Sequence, residues 1–198
     1  DASCSGFHGA DILPGNRMLD AVLGGAAAGA HAGKWVKNRQ FTNAQAAHEA
    51  EQAAQADHSA VSELSDEGVV RVGHVVTKVR DAVQSSLGMS RDADGLTSLI
   101  ETLEAASVLA ESIHVDQSSL IANMNLVEIA RVQASARLSL AAAQSALART
   151  ETRGSHHRSD FTEFNEEHLH HYAVNQMGEV STLALRKSKS GNWILTPQ

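Results

Sequence analysis

Two stretches of this sequence hold residue types and spacings able to do chemistry. The first runs from Asp1 to Gly29, with glycines at 6, 9 and 15 ahead of a segment that begins at Asn16. It predicts a loop, Gly6 to Gly15, running straight into a helix over roughly Asn16 to Val36. Gly24, Gly25, Ala28 and Gly29 give that helix a face that can approach another backbone closely. Such a loop leaves backbone N–H groups pointing outward, and a helix start adds partial positive charge. The pair suits an anionic group or the electron-rich edge of a ring. The second stretch, Arg149 to Phe161, alternates charge through Arg149, Glu151, Arg153, Arg158 and Asp160. It predicts a mixed-sign network where a helix ends at Gly154, fixing turns and holding a helical domain in place. Structural work is the favoured role there, with direct chemistry the lesser reading.

Histidines invite a metal reading, since there are 11 and five of them are His156, His157, His168, His170 and His171. Adjacent residues and an i, i+2 step do not share one helix face. Cys4 is the lone cysteine, and no paired carboxylate completes a tetrahedral set. No metal site is expected, and no catalytic acid or base is assigned. Asn16 by itself is also an ordinary helix N-cap residue.

The elements that must position these stretches are mostly helices. Asn43 to Ser62, rich in Ala, Gln, His and Glu, predicts a solvated helix after a polar joint at Lys37 to Thr42. Val69, Val72, Val76, Val79, Val83 and Leu87 recur at three- and four-residue steps, one apolar stripe capped by Ser65 or Asp66 and closed by Gly88. A helix over about Asp92 to His114 carries Leu96, Leu99, Ile100, Leu103, Ala106, Leu109 and Ile113 inward. A longer one, about Ser118 to Thr150, is expected to bury Leu120, Met124, Val127, Ala130, Ala134, Leu138, Ala141 and Leu147. Three such helices with short joints make an antiparallel bundle. Beyond it, Tyr172 to Val174, Val180 to Leu185 and Trp193 to Leu195 read as short strands, with turns at Met177-Gly178 and Ser190-Gly191.

Composition narrows the function classes. The 198 residues suffice for one or two small domains, and 4% aromatics point to helices packed through small aliphatic side chains. A net charge of −7 without a basic cluster argues against a nucleic-acid partner. Leu19 to Val36 includes Asp20, His31 and Lys34 and is too weakly apolar for a membrane span. One cysteine fits a reducing compartment.

The opening stretch resembles the flavoprotein subunits of succinate dehydrogenase and fumarate reductase, with L-aspartate oxidase a close cousin. That family has an acidic residue followed by His-Gly-Ala-Asn-Arg-Leu-x-x-Asn-Ser-Leu-Leu; here stand Asp1 and His8-Gly9-Ala10-Asp11-Ile12-Leu13-Pro14-Gly15-Asn16-Arg17-Met18-Leu19. The second stretch is similar to the family's Arg-x-Glu-Ser-Arg-Gly-x-His-x-Arg-x-Asp-Phe run, with His156 or His157 at its histidine. The end, Gly191 to Pro197, also resembles how these flavoproteins finish. The resemblance implies FAD as cofactor. Asp1 would accept a hydrogen bond from a ribitol or ribose hydroxyl, and His8 and Gly9 would shape the loop over the flavin. The N–H groups of Asn16, Arg17 and Met18 would face its pyrimidine edge. The family's arginine, which binds a substrate carboxylate, is Ile12 here, and isoleucine cannot form a bidentate ionic pair. Asp11 replaces the preceding asparagine, and Arg17 replaces a serine at the helix start. Flavin binding therefore follows from this run more directly than succinate chemistry does.

The resulting expectation is a mainly α fold. Residues 1–40 end an FAD-binding domain as loop plus helix, 41–160 form an antiparallel three-helix bundle domain, and 161–198 form a β-containing tail. The chain opens on Asp1 inside the run, and no Gly-x-Gly-x-x-Gly fingerprint is present. It is read as the carboxy-terminal piece of a longer flavoprotein that interconverts succinate and fumarate by hydride transfer. The resemblance implies a dicarboxylate or related substrate and an iron–sulfur subunit of a membrane-associated complex as partner. The location would be cytoplasmic, or peripheral on the inner membrane through partner subunits. Two alternatives stand beside it: an L-aspartate oxidase-like or other flavoprotein with a changed substrate, and a non-catalytic helical interaction module.

Overall fold

The computed structural model describes residues 6, 8–10, 12–37, 39, 44–62, 70–110, 112–114, 122–175, 177–187 and 193–197. The chain divides into two compact units, residues 1–61 and 62–198.

The first unit holds α1 (Asn16–Val36) and all but the last residue of α2 (Ala44–Ser62). Helix α1 starts where the sequence places it. Gly15 supplies its N-cap in the left-handed region (φ 85°), and no side chain closes the cap. Leu19, Val22, Leu23, Trp35 and Val36 are all exposed, and α1 buries no residue.

The second unit is built on α3 (Val72–Ser86), α4 (Ala93–Ala110) and α5 (Met124–Ala148), each packed against the other two. Backbone ties fix their directions. Val70, before α3, bridges Ile113 after α4, with His114 donating to Val70 O at 2.9 Å. Arg91, before α4, bridges Arg158 after α5, and Arg91 N donates to His157 O at 3.0 Å. Helices α3 and α4 thus each start beside the end of the helix that follows, so α4 runs antiparallel to both α3 and α5.

The core is Val75 and Val79 of α3, Leu96, Leu99, Leu103, Ala106 and Ala110 of α4, and Leu126, Ile129, Val132, Ala136, Ala143 and Ala146 of α5, with Ile113 beyond α4. Three expectations change. The α3 stripe centres on Val75 and Val79, with Val72, Val76 and Val83 only half-buried; Val69, Ser65 and Asp66 lie outside the described residues, and Arg71 is the N-cap. Helix α4 ends at Ala110, and Ile113 is buried from the bridge that follows. On α5 the buried face is not the expected one. Met124, Val127 and Leu138 are exposed, as are Ala130 and Ala134, and Leu120 lies outside the described residues. Apolar and small side chains occur around the whole circumference of α5, so spacing alone does not select the side that meets α3 and α4.

After α5 a single 3-10 turn (Glu166–His168) leads into β1 (His170–Val174), β2 (Val180–Lys187) and β3 (Trp193–Pro197). They form one antiparallel meander in the order β1-β2-β3, with Tyr172 opposite Thr182 and Leu185 opposite Leu195. Gly178, at φ 80°, makes the first turn as expected. The expected turn at Ser190-Gly191 lies outside the described residues.

Candidate functional site

The opening loop bends at Gly6 and Gly9, both at positive φ, with Gly9 N donating to Gly6 O at 3.3 Å. Asn16 N donates to Leu13 O at 3.0 Å, which closes the turn into α1. His8 folds back on the helix, its Nε2 3.4 Å from Asp20 Oδ2. Among the described residues no atom comes within 4 Å of where a Cβ would be at Gly9 or Gly15. Ile12 is half-buried, and Arg17 and Met18 are exposed. Of the residues proposed to face a cofactor, His8, Gly9, Asn16, Arg17 and Met18 therefore share one end of α1. Asp1 and Asp11 lie outside the described residues.

The second stretch is a buried ionic structure. Helix α5 ends at Ala148, earlier than the expected Gly154, and Arg149 leaves it in extended conformation. Glu151 is fully buried. It accepts from Arg149 Nη1 at 2.6 Å, from Arg153 Nε at 2.7 Å and Nη2 at 3.0 Å, and from the Asn165 backbone N–H at 2.9 Å. Burial alone would raise its pKa, but the hydrogen bonds from Arg153, Asn165 and Arg149 outweigh burial and bring it down to about 2. Gly154, at φ 58°, permits the tight turn in which Arg153 and His156 exchange backbone hydrogen bonds of 2.8 and 3.0 Å.

Arg158, 1% exposed, forks onto Asp160 through two bonds of 2.7 Å. Its remaining nitrogen donates to the carbonyls of Ala146 (2.9 Å), Leu147 (3.3 Å) and Arg149 (3.2 Å). Tyr172 Oη donates to Ala148 O at 3.1 Å. These groups satisfy the open carbonyls at the end of α5 and set positive charge where the helix dipole favours it. Asp160 in turn accepts from Ala93 N at 2.9 Å, the first residue of α4. The Arg158 fork, above all, holds the Asp160 carboxyl at about 2.

His156 completes the knot. Its Nδ1 lies 2.8 Å from Arg91 Nη1 and its Nε2 3.2 Å from Arg149 O. A guanidinium only donates, so Nδ1 accepts and the proton sits on Nε2. Burial, more than any neighbouring charge, pushes the imidazole pKa below its ordinary value. Three guanidiniums lie over aromatic rings, Arg149 on Tyr172 at 4.8 Å, Arg153 on Phe164 at 4.0 Å and Arg158 on Phe161 at 5.0 Å. Every charged group here is bound to protein, so the arrangement locks the start of α4, the end of α5 and the approach to β1 together.

Sequence reasoning found the charged residues of the knot between Arg149 and Asp160 but missed Arg91, Asn165 and Tyr172. The first lies 65 positions from His156; no local pattern marks such a partner. His168 bonds to Tyr172 Oη at 2.8 Å and Thr150 Oγ1 at 3.2 Å. Among the described residues no three His, Cys, Asp or Glu side chains converge on a metal position, and no helix is long and apolar enough to cross a membrane.

Comparison with known proteins adds three findings. The sequence model of the family described as fumarate reductase flavoprotein C-term matches residues 76–193, more than half of the chain and including the whole ionic knot. Among curated proteins, the chain is 29% identical over 162 residues to an uncharacterised FAD-dependent oxidoreductase of Methanocaldococcus jannaschii, covering 82% of this chain and 28% of that protein. It is 26% identical over 185 residues to the succinate dehydrogenase flavoprotein subunit of Rickettsia bellii, covering 93% and 30%. In fold it is similar to a chain of the Mycobacterium smegmatis Sdh1 complex in the apo form, at a TM-score of 0.67 and 19% identity, covering 98% of this chain and 31% of that one. The chain thus spans less than a third of the length of the curated relatives named here.

Proposed function

Because the chain belongs to the fumarate reductase flavoprotein C-terminal family, we propose that it is the carboxy-terminal part of an FAD-dependent oxidoreductase that interconverts succinate and fumarate. Within it, residues 1–40 finish the FAD-binding domain, 41–160 form the helical domain and 161–198 the strand tail. The structural observation that carries the flavin reading is the open end of α1. Gly15 caps the helix without a side chain, and among the described residues nothing comes within 4 Å of a Cβ placed at Gly9 or Gly15. The residues fit a planar ring edge rich in acceptors, because the N-cap Gly15 brings no side chain to the start of the helix.

In this reading the start of α1, at Asn16, Arg17 and Met18, lies against the ring edge, with the Asn16 N–H itself spent on Leu13 O, and the helix dipole stabilises negative charge that develops there. His8, held beside Asp20, fixes the loop whose backbone approaches the ring, and Asp1 accepts from a sugar-chain hydroxyl. When bound, FAD supplies hydride transfer to or from a carbon of the dicarboxylate. The ionic knot positions the helical domain and takes no part in the chemistry. An iron–sulfur subunit as electron partner, and a peripheral place on a membrane through partner subunits, complete the proposal.

Ile12 favours a second reading, a flavoprotein of this family with a changed substrate. One experiment addresses both. The polypeptide that carries this chain is purified with its flavin and titrated anaerobically with succinate, and the reduced form with fumarate. Bleaching and reoxidation support the first reading. Bound flavin that responds to neither dicarboxylate supports the second.

A further inference from the structure

A cleft between α5 and the β1–β2 turn uses none of the residues of the ionic knot. Arg137, Leu140 and Gln144 of α5 line one wall, and Val174, Asn175 and Gly178 line the other, around a cavity of about 620 Å³. Small-molecule sites occupy roughly 300–1,000 Å³. Two polar groups on the α5 wall are unspent. The exposed Arg137 guanidinium makes no ion pair or hydrogen bond, and the Gln144 amide makes none either, with its Oε1 buried and unpartnered. Asn175 differs: its amide nitrogen donates to Glu179 Oε2, and its oxygen accepts from the N–H groups of Met177 and Glu179 within the turn. Gly178 keeps the Gln144 end open, since a Cβ there would lie 3.2 Å from Gln144 Nε2.

We propose that this cleft binds an acid that also carries an amide. Its carboxylate sits on Arg137, its amide pairs with the Gln144 amide, and its apolar body lies against Leu140 and Val174. A guanidinium matches a carboxylate in two parallel bonds. A primary amide both donates and accepts, so its full complement is another amide; the buried, unpartnered Oε1 meets a ligand N–H once the Gln144 amide turns toward the cleft. Arg137 and Gln144 stand two helical turns apart, roughly 10 Å along the axis, a span that the long arginine side chain shortens. Acylated amino acids and the terminal residue of a peptide share this chemistry. The proposal does not rest on the flavin reading.

The test is calorimetry on the full chain with N-acetyl-leucine, hippurate and acetyl-Ala-Ala-Leu, and with 4-methylpentanoate as the acid lacking an amide. N-acetyl-leucine is expected to bind saturably. Arg137→Ala should weaken it about tenfold or more. Gln144→Leu should weaken it severalfold while leaving 4-methylpentanoate unchanged. Both variants should unfold at the parent temperature, because neither side chain has a partner in the protein. Tighter binding of the tripeptide assigns the cleft to a chain terminus, and equal or weaker binding assigns it to a free acid. No saturable heat from any of the three amide-bearing probes at millimolar concentration would overturn the proposal. So would binding that both substitutions leave unchanged.

Discussion

Arg91 Nη1 donates to His156 Nδ1 at 2.8 Å, joining the loop before α4 to the loop after α5. The bond requires a neutral imidazole, and Arg149 and Arg158 add further positive charge around it. This fixes the sign of a pH effect. The folded His156 pKa lies below its unfolded value, so its stabilising contribution is complete above the unfolded pKa, about 6.5. It is lost as pH falls through the folded value. His170 and His171, lowered chiefly by burial, act in the same direction.

Stability measured by denaturant unfolding should therefore drop between pH 7 and pH 5. His156→Gln keeps an acceptor for Arg91 and a donor for Arg149 O without a titrating proton. It should make that drop shallower. An unchanged slope would mean that His156 binds the same number of protons folded and unfolded.

A second acid transition belongs to the carboxylates. Glu151 and Asp160 are held at about 2, below their ordinary values of 4.5 and 3.8. Their stabilisation is present above the unfolded pKa values and fades as pH falls from there toward 2. Combining Glu151→Gln with Asp160→Asn should flatten the stability curve in this window, read from thermal melts at fixed salt.

Removing one partner of the buried ion cluster should be severe. Glu151→Ala leaves Arg149 and Arg153 facing each other without the carboxylate between them, at 14% and 20% side-chain exposure. A loss of about 3–5 kcal/mol is expected from urea titration. Arg158→Lys retains charge but cannot fork onto Asp160 while reaching three carbonyls, so it should also lower the melting temperature, by less than Arg158→Ala does.

The orientation of α5 gives a direct contrast. Ile129 is fully buried and Leu138 is 73% exposed. Ile129→Ala should cost about 2–5 kcal/mol, and Leu138→Ala should stay within about 0.5 kcal/mol in the same chain. Equal costs would return Leu138 to the buried side.

That contrast also marks how far the sequence could be read. Helix α1 was legible because Gly15 and Asn16 punctuate its start, although Gly15 and not Asn16 is the N-cap, and the β1–β2 hairpin because Met177-Gly178 marks its turn. The charges of the knot were legible because they are contiguous. Its closure was not, since Arg91 and Tyr172 reach it through tertiary packing. The face of α5 was misread because Ala, Val and Leu surround that helix, and burial there depends on neighbours that spacing does not encode. At the opening loop, glycine positions and the α1 start were readable, while Ile12 leaves the substrate open to experiment.

The central claim is that this chain completes a flavin site. Its most direct test is the flavin content of the purified polypeptide that carries it, compared with the same polypeptide bearing Gly15→Val. Valine is strained at φ 85° and disturbs the α1 cap. The account predicts stoichiometric FAD in the parent and a marked loss in the variant, with the second unit still folded by circular dichroism. A folded parent without FAD, or full flavin content after Gly15→Val, would contradict it.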